Sequence, residues 1–349
     1  MAVYTNIDNP GLFFNTVLYT GNGSTNAITG AGFQPDWVWL KQRSGSASSH
    51  KLYDAVRGTT KYIASNNTGA EGTESGVTSF DSDGFTLGSA GGTNTNSATY
   101  VSWNWLGANG TVSNSDGSVT TSVSVNQTAG FSIVTYTLGS GTGSTTQGHG
   151  LGAVPHVIIN KPLDQTYNWQ VYHHKNTSAP ETERLLLNDS AATEDNNKPW
   201  NDTAPTSSVF THGDSSWNGT GDHVAYCFTE KQGYSKFGSY TGNGSTDGVF
   251  IYTGFRPAWI MGKRTDSANN WYIFDSTRST FNVTDKKLRA DQNAAENVDS
   301  SKTIDILSNG FKIKSSDAEF NASSGSYIYM AFAEHPFVTA GTKAAGTAR

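Results

Sequence analysis

The sequence predicts an all-β chain of three tandem antiparallel β-sandwich units, jelly-roll in type, with only short helical turns. Three observations carry that expectation. Runs of Val, Ile, Trp, Tyr and Phe, four to eight residues long, are bounded by Gly, Asn, Asp and Ser, the pattern of strands and turns. Helical periodicity is weak throughout, the best short candidates being "DAVRGTTKYI" (54–63) and "APETERLLLN" (179–188). An ordered set of features also returns three times, the signature of repeated building blocks.

Residues 1–12 form an N-terminal segment ahead of the first unit, 13–110. That unit runs from "YTGNGST" (19–25) through "GFQPDWVWLKQ" (32–42) and "YDAVR" (53–57) to a closing strand, "YVSWNWLG" (100–107). The third unit, 235–338, keeps the order with "YTGNGST" (240–246), "GFRPAWIMGKR" (254–264), "FDSTR" (274–278) and "YIYMAFAE" (327–334). The second, 131–234, is more divergent: "YTLGSGTGST" (136–145), "VPHVIINK" (154–161), "YHHKN" (172–176) and "HVAYCFTE" (223–230). "KYIASNNTGAEGTE", "RLLLNDSAATEDN" and "KLRADQNAAENVD" occupy equivalent places further on. Residues 111–130 read as a linker whose "SVTTSVSV" alternates like a strand along a sheet edge, and 339–349 as a small polar tail. Alternation gives each strand one buried face, with Trp39, Trp105, Trp259 and Phe332 as anchors inside the sandwiches.

Composition narrows the function. Charged residues are 15% of 349, the formal charge is −6, and no Lys/Arg run stands out, which argues against a nucleic-acid partner. No apolar stretch approaches the ~20 residues of a bilayer span, so no membrane insertion is expected. The start "MAVYTNIDNP" lacks the basic and apolar regions of a secretory signal, so synthesis in a cytoplasm is expected. Cys227 is the one cysteine, which rules out an intrachain disulfide and reads as a buried, inert thiol.

The sharper chemical readings each meet a plainer one. A phosphate-gripping Gly loop must open a helix, whereas "YTGNGST" is followed by no helical pattern, and its "NG" reads as a hairpin turn. Asp81, Asp83 and Gly84 resemble the start of a calcium loop, yet the third unit has Leu307 and Asn309 in place of the aspartates, so a type I′ hairpin explains both copies. Asp54 with Arg57, and Asp275 with Arg278, read as ion pairs on one turn, worth a few tenths of a kcal/mol. His173 and His174 are adjacent and face opposite ways in a strand, and His149, His156, His212 and His223 are scattered, so no metal is expected. Glu181, Glu183 and Asp195 are carboxylates that a glycosidase could pair, but nothing singles them out. No cofactor and no enzymatic activity are expected.

The opening "YTNIDNPGLFFNTVLYTGNGS", "GFQPDWVWLKQR", "SFDSDGFTLG", "GFSIVTYTLGSGTGSTTQGHGLGAVP", the 224–267 stretch and the ending "AFAEHPFV" resemble a module recurring in virion proteins of tailed, especially marine, bacteriophages. The resemblance spans nearly the whole chain. It implies a concanavalin-like sandwich in a non-enzymatic phage structural protein: an exposed tail fibre, tail tip or capsid decoration that aids host attachment. It also implies a homo-oligomer in the virion, with other virion proteins and a host cell-surface glycan as partners. The competing reading is a glycan-cleaving depolymerase on the same scaffold. For a glycan-binding surface the expected residues are Trp200 in "NKPWND" and Trp217 in "SSWNGTG", aromatic rings in polar loops.

Overall fold

The computed structural model describes residues 5–140, 143–214 and 219–339, and it is nearly all antiparallel β. The first segment supplies β1 (Phe14–Thr20), β2 (Asn26–Thr29), β3 (Trp37–Gln42), β4 (Lys51–Asp54), β5 (Lys61–Tyr62), β6 (Gly72–Thr73), β7 (Val77–Asp81), β8 (Gly84–Leu87) and β9 (Thr99–Trp105). They make a main sheet ordered β1-β9-β3-β4, a smaller sheet β2-β8-β7 and the pair β5-β6. Next come β10 (Val112–Asn114), β11 (Thr121–Asn126), β12 (Phe131–Leu138), β13 (Thr145–Gly148), β14 (Val157–Pro162), β15 (Gln170–His173), β16 (Glu183–Leu186), β17 (Glu194–Asp195), β18 (Val209–His212) and β19 (Gly221–Phe228). Their main sheet runs β10-β11-β12-β19-β14-β15-β16-β17, beside the pair β13-β18. The last segment gives β20 (Ser235–Thr241), β21 (Phe250–Tyr252), β22 (Phe255–Arg264), β23 (Tyr272–Asp275), β24 (Lys286–Arg289), β25 (Asn297–Val298), β26 (Ile304–Leu307), β27 (Gly310–Ile313) and β28 (Ser326–Pro336). These form β20-β28-β22-β23-β24-β25 and β21-β27-β26.

In all three main sheets the segment's closing strand lies between its opening strand and the strand after the proline turn. Among the described residues, only the middle sheet is extended beyond its opening strand, because β11 pairs with β12 and β10 with β11. Helix is confined to short pieces, including α1 (Gly91–Asn94), α2 (Ala318–Asn321) and 3-10 turns at Pro10–Leu12 and Pro180–Thr182. The two stretches expected to turn helically do so briefly, then extend: Ile63 bridges to Leu52, and Glu183–Leu186 is strand.

The main sheets are buried on both faces, not one. Along β3, Trp37 and Trp39 enter one cluster while Val38 and Leu40 enter another; Val157 and Ile159 part from Ile158, and Trp259 and Met261 from Ile260, in the same way. One face meets the segment's own small sheet. The other faces a shared central core that draws Trp105, Phe228 and Phe332 from β9, β19 and β28. Phe332 lies 5.6 Å from Trp105 and 5.8 Å from Phe228, ring centre to ring centre. Trp39, Trp105, Trp259 and Phe332 are therefore anchors, each 1% exposed, but of this common core and not of separate sandwich interiors. Strands covered on both sides read as near-continuous apolar runs, which explains "WVWL" and "VII".

The duplicated "YTGNGST" is not a hairpin. β1 pairs with β9 and β2 with β8, so the heptad carries the chain from one sheet to the other. It wraps a fully buried asparagine at the end of α1 or α2. The Asn94 amide accepts from Asn22 N–H and donates to the Asn22 side chain and to the Ser24 and Gly88 carbonyls; Asn321 repeats this with Asn243, Ser245 and Ser315. A Cβ on Gly21 or Gly242 would stand 2.2 or 2.3 Å from the carbonyl oxygen of Thr95 or Ala322, so the glycine is steric.

The β7–β8 and β26–β27 hairpins exist, but their turn residues are Ser82–Asp83 and Ser308–Asn309, with none of the four at positive φ. The expected type I′ turn is thus replaced. Gly84 and Gly310 follow the turn, where a Cβ would lie 2.0 Å from the carbonyl oxygen of Ile28 or Ile251. The Asp83 carboxylate accepts from Gly30 and Gly32 N–H, which gives it a structural use without calcium.

Candidate functional site

The residues that suggested chemistry lie mostly at the three contacts between segments, and those contacts repeat cyclically. His50, Trp169 and Trp271 stand immediately before β4, β15 and β23. Trp169 Nε1 donates to the Ala64 carbonyl at 2.9 Å, Trp271 Nε1 to Leu186 at 2.8 Å, and His50 Nε2 to Arg289 at 2.9 Å. The His50 tautomer is set because Nδ1 accepts from Trp39 Nε1. Second binds first, third binds second, and first binds third: the chain closes a ring.

Lys41, Lys161 and Lys263 follow the same cycle. Each ammonium has three donors and gives them to three carbonyls, one in the neighbouring segment: Asn293, Thr68 and Ser190 respectively. Burial pushes all three down to about 8. A lysine so shifted is a candidate nucleophile, but here every N–H is committed to the scaffold.

The Asp-x-x-Arg pairs are buried junctions, not surface pairs. Asp54 binds the Arg57 N–H and guanidinium and accepts from Tyr226 OH of the second segment at 2.7 Å. Asp275 binds Arg278 likewise and accepts from Trp103 Nε1 of the first at 3.0 Å. At the remaining contact the strand position of Trp103 and Tyr226 holds Met330, which has no N–H or O–H to give. The aspartate position holds His173, whose Nε2 donates to the Tyr329 carbonyl at 3.2 Å. "YHHKN" thus departs from the pattern where its partner strand does.

A cleft of about 630 Å³ opens where the first segment meets the extended edge of the second. Its floor includes Arg57, Lys61 and Glu71. Its wall carries hydroxyls of Thr120, Ser122, Thr135 and Thr137, and Asp164 and Asp222 stand at its other side. Glu71 accepts from Arg57 at 3.0 Å and from Lys61 at 3.3 Å. Asp222 N–H donates to Asp164 Oδ2 at 2.7 Å, and Thr137 Oγ1 donates to Asp222 Oδ1 at 2.6 Å. At the contact between the third and first segments a smaller cleft, about 270 Å³, is lined by Asn15, Thr16, Ser276 and Thr277 among others. Sequence reasoning missed the larger cleft because its residues come from separated stretches, none with a motif; the one available signal was the alternating 118–125 strand.

Other expected sites fare differently. Trp200 is 2% exposed and packs edge-on against Tyr172, so the expectation of an exposed ring there is corrected: its flanking polar residues face out while the indole fills the core. Trp217 lies outside the described residues. Glu183 sits directly across from Asp195 on β16–β17, and burial with that like charge raises its carboxyl. The Cys227 thiol is buried and pushed up by desolvation. Among the described residues no three His, Cys, Asp or Glu side chains are placed to hold a metal ion, and no helix is long and apolar enough to cross a membrane.

Comparison with known proteins gives one match: a family described as a domain of unknown function (DUF7483) covers residues 9–336. No curated protein and no solved structure matches the chain.

Proposed function

Since the chain belongs to the DUF7483 family, whose function is unknown, we propose from its own architecture that it is a non-enzymatic structural protein of a bacteriophage particle. In this reading three tandem sandwich units, each a main and a small sheet, form an exposed appendage of the tail or head that aids attachment to the host. The observation that carries it is the use of the reactive-looking groups. Lys41, Lys161, Lys263, Asp54, Arg57, Asp275 and Arg278 all join one segment to another or hold the residues that do. A chain so committed to closing a rigid ring suits a load-bearing external part, and the sequence resemblance to phage virion modules supplies the particle. Copies on one particle would turn weak surface contacts into avidity.

The test is mass spectrometry of gradient-purified particles of the encoding phage. The protein is expected at a copy number of at least several per particle. Its restriction to the soluble fraction of infected cells would contradict the reading. The depolymerase alternative draws on the cleft's carboxylates, and release of new reducing ends from host envelope glycans, lost on Asp222→Asn, would favour it instead.

A further inference from the structure

We propose that the cleft between the first segment and the β11–β12 wall is a saccharide-binding site for neutral glycans; the source of the ligand, a host surface, rests on the appendage reading above. The geometry of the cleft supplies the ligand class. A volume of about 630 Å³ falls within the range of small-molecule sites and suits a short oligosaccharide. Its lining is polar, with hydroxyls beside two cations and three carboxylates. Thr120 and Ser122 offer hydroxyls that both donate and accept, and Thr135 and Thr137, whose protons go to the Ser122 carbonyl and Asp222, offer acceptor lone pairs, the complement of a polyol.

Charge decides between neutral and acidic sugars. Arg57 is buried and held by Asp54 and Glu71, and Lys61, half-exposed, pairs with Glu71, so the three carboxylates Glu71, Asp164 and Asp222 outnumber the two cations of the cleft. Asp164 and Asp222 are exposed, and each has one oxygen bound to a protein donor. The second oxygen of each is open to sugar hydroxyls, and two carboxylates repel an anionic glycan. Charge-assisted O–H···O⁻ bonds are about twice as strong as neutral ones, so these acids are the expected anchors.

Position supports the same assignment. The ring repeats its contacts three times, but among the described residues only the middle sheet carries the added strands β10 and β11. Those strands, with Thr120 just ahead of β11, place Ser113, Thr120 and Ser122 on the wall, whereas the cleft at the contact between the third and first segments is smaller, about 270 Å³. The floor is also fixed to the side that carries Asp164: Glu71 N–H donates to the Leu163 carbonyl at 2.7 Å. A site held by two segments at once is preorganised, which lowers the entropy cost of binding.

The full-length protein is tested on an array of neutral, sulfated and uronic oligosaccharides of bacterial envelopes, with calorimetry on the strongest neutral probe. Saturable binding concentrated among neutral glycans is expected. Asp222→Asn with Thr137→Val should weaken it at least tenfold while the circular dichroism spectrum is unchanged, and Thr29→Ala on the distant β2 should leave it intact. Should the double variant fail to fold, Thr120→Val, an exposed side chain, is expected to weaken binding severalfold. No binding, a preference for acidic glycans, or affinity indifferent to these variants would overturn the proposal. Particle association is read separately: a virion protein that binds no glycan loses the cleft assignment alone, and a glycan binder missing from particles loses the appendage reading alone.

Discussion

Arg278→Met is expected to destabilise the protein by about 3–5 kcal/mol, the usual cost of breaking one side of a buried ion pair. The Arg278 side chain is fully buried, and its guanidinium serves Asp275, Glu296 and the carbonyls of Ile273 and Lys286. Methionine fills much of the volume but strands the Asp275 carboxylate, leaving it Trp103 Nε1 and one backbone N–H. Glu296 keeps Arg43. The double variant Arg278→Met/Asp275→Leu removes the stranded charge, and should recover part of the loss although Trp103 Nε1 is left unpaired. Urea unfolding followed by tryptophan fluorescence reads both. A single variant within 1 kcal/mol of the parent would show that the pair is not a structural junction.

Acid is expected to unfold the protein well before its carboxylates alone would. His173 and His212 are held at about 3 and His174 at about 4, chiefly by burial, and burial also holds His50 well below the usual imidazole value. In each case the unfolded chain binds a proton near pH 6.5 and the folded chain does not. The stability is therefore present above that pH and lost as pH falls toward 3–4, at roughly 1.4 kcal/mol per pH unit for each fully buried imidazole. Two carboxylates work the other way. Burial raises Asp36 to about 6 and Asp291 to about 7, so the folded state gains protons there as pH falls. Asp291 makes the backbone contact to Trp271 that neutral Asn66 and Asn188 make to His50 and Trp169; that contact favours the charged form, but burial is the larger effect. The histidines outnumber these acids, so the net slope between pH 6.5 and 4 is on the order of 1–3 kcal/mol per unit. Thermal melts should fall steadily across that window, and less steeply in His173→Gln. A flat profile to pH 4 would contradict the assignment of neutral buried imidazoles.

Much of the architecture was legible because the repeat itself was: "YTGNGST", the proline turn, Asp-x-x-Arg and the closing strand mark equivalent strands in equivalent order. Alternation, however, reports only that a residue faces away from its neighbours. It could not tell Trp39 and Trp105 facing a common core from the same residues inside one sandwich. That depends on contacts between segments more than a hundred positions apart, such as Trp103 with Asp275. "NG" signals a tight turn locally, but Asn94 and Asn321, over seventy residues downstream, are what the loop folds around. Trp200 misled because its polar neighbours describe the surface beside it and not the indole. The cleft was least visible, since hydroxyl side chains at a sheet edge look like any solvent-facing strand until a second segment is folded against them.

Immunogold electron microscopy of intact tailed-phage particles, from a phage whose genome carries this sequence, with an antibody against the recombinant protein, tests the proposed appendage role most directly. Gold at a fixed external position on the tail or head, present without disrupting the particle, is the predicted result. Labelling that appears only after particles are opened, or on no particle, would contradict an exposed appendage.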